Sequence, residues 1–218
     1  GAMDVLVIKD AKIYTITNGI VDGSVLVDDE GRITAVGQVE IPADAEVIDA
    51  AGKILTPGLM DAHGHAGVDE EGLGWEGADY NEAVDPVTPH LRALDGINPH
   101  EEGIAEALRA GVTAMCVLPG SANVIGGQGV VIHFYGNTVD EMVIKEDGGL
   151  KVAFGENPKR VYSNQKKSPT TRMATAAILR EQLVKARLPG QTSQGRDRSG
   201  QSARTGSAHG GPCPGAQA

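Results

Sequence analysis

Leu55-Thr56-Pro57-Gly58-Leu59-Met60-Asp61-Ala62-His63-Gly64-His65 is the stretch on which the fold of this chain turns. Alternate residues of a strand face the same side. His63 and His65 therefore point together, and two imidazoles can grip one cation at about 2.0–2.1 Å from each nitrogen. Gly64 keeps the opposite side small, and Pro57-Gly58 sets the entry to the strand. A catalytic zinc takes about three protein ligands and keeps one position for water. This stretch supplies two. The alternative is that the pair is a chance feature of a loop.

Upstream, residues 4–55 read as a small β-sandwich. Val5-Leu6-Val7-Ile8, Ile13-Tyr14-Thr15-Ile16, Ser24 to Val27, Ile33 to Val36 and Val47-Ile48-Asp49 are short strand-forming runs. Asn18-Gly19 and Asp28-Asp29-Glu30-Gly31 punctuate them as turns. Gly1-Ala2-Met3 reads as a remnant of cloning and is set aside.

Downstream, residues 56–187 change rhythm. A long Gly- and acid-rich loop, Ala66 to about Pro99, is a candidate lid. Glu101 to Ala110 has helical spacing with Gly111 as its stop, and Thr170 to Ala186 is a second helix. Val112 to Leu118, Val130 to Tyr135 and Leu150 to Phe154 read as strands. Strands alternating with helices predict βαβ units and a parallel sheet.

Residues 188–218 match neither stretch. After Leu188 there is no Val, Ile, Leu, Met or aromatic residue, so this segment cannot bury a core and is expected to be disordered alone. The 218 residues carry a net charge of −10, which argues against a grip on nucleic acid or an anionic membrane. No apolar run reaches the roughly 20 residues a membrane span needs. No secretory leader pattern is present, Cys116 and Cys213 lie far apart, and a cytoplasmic protein is expected.

The His63-Gly64-His65 stretch, placed after a small β-region, resembles the first barrel strand of the amidohydrolase superfamily. Gly111-Val112-Thr113-Ala114-Met115 is similar to that superfamily's second strand. Pro119 to Gln128 and Gly155-Glu156-Asn157-Pro158-Lys159-Arg160 resemble an imidazolonepropionase-related branch. The resemblance implies a (β/α)8 barrel beside a β-sandwich, with the site at the C-terminal ends of the barrel strands. It implies hydrolysis of a small-molecule amide or cyclic amide at a C–N bond. It also implies a divalent metal, most simply zinc, on His63 and His65. A carboxylate from the last strand would act as general base. Gln128, Glu156 and Asn157 become candidate substrate contacts, with Gly126-Gly127-Gln128-Gly129 as a backbone cradle for a carboxylate. The alternatives are a Gly-rich turn for the cradle, and helix-capping or solvated groups for Glu156 and Asn157.

The chain departs from the family pattern beyond this point. It shows about three βα units of the barrel. Strands carrying the later histidines and the closing carboxylate have no counterpart, so no catalytic base is assigned. His90, His100, His133 and His209 occupy no matching position. An incomplete barrel is expected, with an inactive chain, or a non-catalytic fragment that self-associates into a homo-oligomer to cover its edges. Residues from about 188 are expected to be read in a shifted frame. The downstream nucleotide sequence checks this. A single-base shift should restore a long amidohydrolase-like reading, and the absence of one in every frame contradicts it.

Overall fold

The computed structural model describes residues 5–187. Two sheets organise them. The first contains β1 (Leu6–Tyr14), β2 (Ile20–Val27), β3 (Ile33–Gly37), β4 (Glu46–Asp49) and β5 (Ile54–Leu55). β1 sits at the centre, antiparallel to β2 and parallel to β4 and β5, and β2 pairs antiparallel with β3. The two runs read as separate strands at Val5–Ile8 and Ile13–Ile16 are one strand, broken by an irregularity between Ile8 and Ala11. Asp10 adopts φ 59 there, and its N–H donates to Ser24 Oγ at 3.1 Å. The bulge absorbs one residue without ending the strand. Ala11, Ile13, Val25 and Ala50 form its small core. Among the described residues this is one mixed sheet, not the two facing layers of the expected sandwich, and Val47 and Ile48 stay exposed.

The second sheet has the order β6-β7-β8-β9, with β6 (Leu59–Gly64), β7 (Val112–Val117), β8 (Ile125–His133) and β9 (Val143–Val152). Helix α1 (Glu102–Arg109) precedes β7 and lets it return parallel to β6. Gly111, at φ 90, ends that helix in the conformation that glycine adopts without strain. β8 is antiparallel to both β7 and β9, which corrects the expected all-parallel sheet. The reason is chain length. The link Leu118–Val124 is shorter than the dozen or more residues that a parallel crossover needs. β9 therefore runs in the direction of β6 and β7, one strand further away. After it come α3 (Glu156–Asn164) and α4 (Arg172–Lys185); α2 (Val139–Met142) lies before it. Neither α2 nor α3 was read from the sequence.

The long loop is ordered and structural rather than a detached lid. Val68, Ala93 and Ile97 from it join Ile104 of α1, Val117 of β7, Val130 and Ile132 of β8, Phe134 and Met142 in one core. Each fully buried aliphatic side chain of this kind contributes about 1.5–3 kcal/mol. The loop also runs beside the start of β8. Thr88 N–H donates to the Ile125 carbonyl at 2.9 Å, and Gln128 N–H to the Leu91 carbonyl at 2.7 Å. Below the surface, Tyr162 OH donates to Asn123 Oδ1, and Asn123 Nδ2 donates to Thr88 Oγ1 at 2.8 Å and to the Glu82 carbonyl at 2.7 Å. Burial, with Asp85 and Glu82 nearby, pushes the Tyr162 phenol up to about 12. Glu101, also buried, caps α1 through Gly103 N–H and accepts from Gly67 N–H and Glu71 N–H.

The Gly126-Gly127-Gln128-Gly129 segment is part of β8, not an open cradle. At Gly127, φ is 133, and a Cβ would lie 2.5 Å from the Leu91 carbonyl oxygen. Gly127→Ala therefore strains the backbone and pushes the loop away. It should destabilise the chain by more than ~1 kcal/mol, measured by chemical denaturation. A midpoint equal to that of the parent chain contradicts the described loop packing.

Candidate metal centre

The two histidines are carried at the end of β6. Gly64 between them is fixed by packing, because a Cβ there would lie 2.4 Å from Met115 Sδ on the neighbouring strand. The end of β6 is tied to the end of β7, with Leu118 N–H donating to the Gly64 carbonyl at 3.0 Å. His65 Nδ1 lies 2.7 Å from the Leu118 carbonyl. A carbonyl only accepts, so Nδ1 carries a proton, and in the neutral ring the lone pair is on Nε2. That is the tautomer a metal-binding imidazole needs, set by the bond its other nitrogen makes. The His63 and His65 ring centroids are 5.6 Å apart at an interplanar angle of 86°. Tyr80, from the long loop, lies against His65 with centroids 5.4 Å apart and a tilt of 31°.

Lys151 is the third group at the pair, and the sequence reading missed it. Its Nζ lies 3.0 Å from His63 Nε2. β6 and β9 are separated by two strands, so the contact is made by side chains and not by strand pairing. Lys151 is buried, and burial moves its ammonium below the usual lysine range. His63 is lowered as well, first by the Lys151 charge, then by burial, then by His65, against an opposing pull from Asp61. The imidazole thus stays neutral to lower pH than an ordinary histidine. A lysine inside the apolar run Leu150–Phe154 was the available signal, because β9 alternation buries Lys151 and Ala153 together.

The other candidates lie elsewhere. The Gln128 amide donates to the Pro89 carbonyl at 2.9 Å, so it holds the loop. Glu156 and Asn157 open α3 just after β9, where Asn157 Oδ1 accepts from Arg160. None of these three hydrogen-bonds to His63 or His65 among the described residues. His133 stacks with Tyr135 at 6.1 Å. Cys116 is partly buried, and burial raises its thiol above the usual range. Cys213 and His209 lie outside the described residues.

The donor set suits a divalent cation in part. Two imidazoles lie side by side, but no group of three His, Cys, Asp or Glu side chains gathers among the described residues. The pair fits as part of a metal shell rather than as a whole one.

The chain was compared with known proteins on this footing. No family model matches it. The crystal structure of an amidohydrolase from Thermotoga maritima MSB8 superposes with a TM-score of 0.79 and 49% identity, over 83% of this chain and 47% of that one. The chain is similar to amidohydrolases over most of its length. The amidohydrolase tasK of Hapsidospora irregularis is 38% identical over 180 residues, 75% of this chain and 18% of that protein. The imidazolonepropionase of Vibrio cholerae is 38% identical over 65 residues, 27% of this chain and 16% of that enzyme. The chain thus spans under half the length of each amidohydrolase relative named here.

The lysine–histidine contact makes a prediction. Lys151→Met removes the charge that lowers His63, so the His63 imidazole should titrate higher, closer to the ordinary value of about 6.5. Proton NMR of the His63 ring protons reads this directly. An unchanged titration would show that Lys151 does not act on His63.

Proposed function

We propose that residues 56–187 carry the first metal ligands of a hydrolase acting on a non-peptide C–N bond, an amide or a cyclic amide. His63 and His65 would hold the metal, most simply zinc. The observation that carries the reading is the 2.7 Å contact of His65 Nδ1 with the Leu118 carbonyl, which leaves His65 Nε2 as a free donor beside a neutral His63. The likeness to amidohydrolases over most of the chain supports it. In this reading β6, β7 and β9 are the first barrel strands, with β8 inserted between them, and residues 4–55 form a separate unit.

Bound zinc would lower the pKa of a coordinated water and polarise a scissile carbonyl. The chain's own residues do the rest of what the geometry allows. Leu118 orients His65, and Gly64 leaves room for the Met115 side chain on the neighbouring strand. Lys151 presents a buried nitrogen beside His63, placed to stabilise negative charge developing on a reacting oxygen. Glu156 and Asn157 follow β9, the strand that carries Lys151, and stand as candidate substrate contacts. Gln128 would first have to release Pro89. No Asp or Glu is grouped with the imidazoles among the described residues, so the proton-transfer base is missing from this half of the site. The chain should hold metal weakly and turn over no substrate by itself. We place it in the cytoplasm; among the described residues no helix is long and apolar enough to cross a membrane. The expected frame shift beyond about residue 188 lies outside the described residues.

Zinc titration calorimetry on the chain and on His63→Ala and His65→Ala tests this, run beside a cyclic-amide hydrolysis assay. Each substitution should weaken binding at least about tenfold, with hydrolysis at background throughout. Equal zinc affinity in all three proteins would remove the histidines from the metal site. Zinc-dependent turnover would overturn the proposed inactivity.

A second reading rests on the sheet edges. Leu59 and Met60 on β6, and Ile144 and Leu150 on β9, are exposed apolar side chains on edge strands. Such edges invite pairing between chains. A homo-oligomer that covers them predicts a mass by light scattering that rises with concentration. A monomer at all concentrations excludes it.

A further inference from the structure

We propose that Tyr80 is a positioning residue for His65, backing one face of the imidazole that the Leu118 carbonyl holds at Nδ1. Its use in catalysis rests on the metal-site reading above; its geometry does not. The hydrogen bond from Nδ1 restrains rotation about the Cβ–Cγ bond at one edge of the ring and leaves its faces to be held by packing. The Tyr80 ring, 5.4 Å away at a tilt of 31°, packs on one of those faces and opposes a tilt toward it. An aromatic face also favours positive charge beside it, such as an imidazole acquires on donating to a cation.

The loop is built to deliver this ring. Asp79 N–H donates to the Val68 carbonyl at 2.8 Å, and the Tyr80 carbonyl accepts from Gly120 N–H at 2.6 Å. Asn81 Oδ1 accepts from Ala122 N–H at 2.9 Å. Tyr80 also packs on the main core. Gly120 is the enabling residue, because a Cβ there would sit 2.5 Å from Tyr80 Cδ2 and 2.4 Å from the Asn81 amide. The same ring lines a cleft of about 420 Å³ with Asn81, Arg92, Pro119 and Gly126. Tyr80 therefore meets both His65 and this cleft.

The experiment is nitrogen-resolved NMR of the His65 ring in the full chain and in Tyr80→Phe, Tyr80→Leu and Gly120→Ala, with zinc titration of each. The parent chain and Tyr80→Phe should show the Nδ1–H tautomer, ring-current-shifted His65 protons and cross-relaxation between the residue-80 and His65 rings. Tyr80→Leu and Gly120→Ala should lose the ring-current shift, populate the other tautomer and bind zinc about tenfold more weakly. A folded Tyr80→Leu with parent-like His65 signals overturns the proposal. Should that variant not fold, the same signals in Gly120→Ala decide it. Absence of cross-relaxation between the two rings in the parent chain overturns it without any variant. Failure of the parent chain to bind zinc would sink the metal-site reading only, because the His65 signals still decide the role of Tyr80.

Discussion

The end of β6 is tied to the end of β7 by two contacts at one residue. Leu118 donates its N–H to the Gly64 carbonyl and accepts from the His65 ring. Everything at the candidate metal centre follows from that link. It ends the parallel ladder, turns the backbone after Gly64 and fixes which imidazole nitrogen carries the proton. Met115 fills the space that a side chain at residue 64 would need, so a larger residue between the histidines would have to displace the Met115 thioether. The site is therefore set by strand pairing first and by side-chain chemistry second.

Around this link the long loop acts as a wall. It fills the stretch of β8 that β7 does not reach, covers the core with Val68, Ala93 and Ile97, and brings Tyr80 to His65. The buried chain of bonds from Tyr162 through Asn123 to Thr88 pins α3 and the loop to the start of β8. Such a network is stabilising only when every member is satisfied, and among the described residues no buried side-chain nitrogen or oxygen lacks a partner.

Much of this was legible in the sequence where the signal is periodic or chemical. The histidine pair, the hairpin at Asp28 to Gly31, α1 with its Gly111 stop and α4 all follow from spacing and turn residues. The direction of β8 was not, although the short link before it carries the signal. The loop was opaque because its core residues are single apolar side chains with no period, and their burial depends on partners far away in the chain. Lys151 carried a weaker signal, its place in the apolar run Leu150–Phe154, but its partner His63 lies 88 residues away and only the fold brings the two together. Tyr80 had no sequence signal at all. The facing layer of a sandwich needs strands that do not occur in residues 5–187.

The central claim is that His63 and His65 jointly hold one divalent cation. A crystal structure of the zinc-soaked chain, with anomalous diffraction recorded at the zinc edge, measures it most directly. The account predicts one anomalous peak about 2.0–2.1 Å from a nitrogen of each ring, with His65 Nδ1 still on the Leu118 carbonyl and Lys151 displaced from His63 Nε2. A zinc peak elsewhere, or none between these rings at saturating zinc, would contradict it.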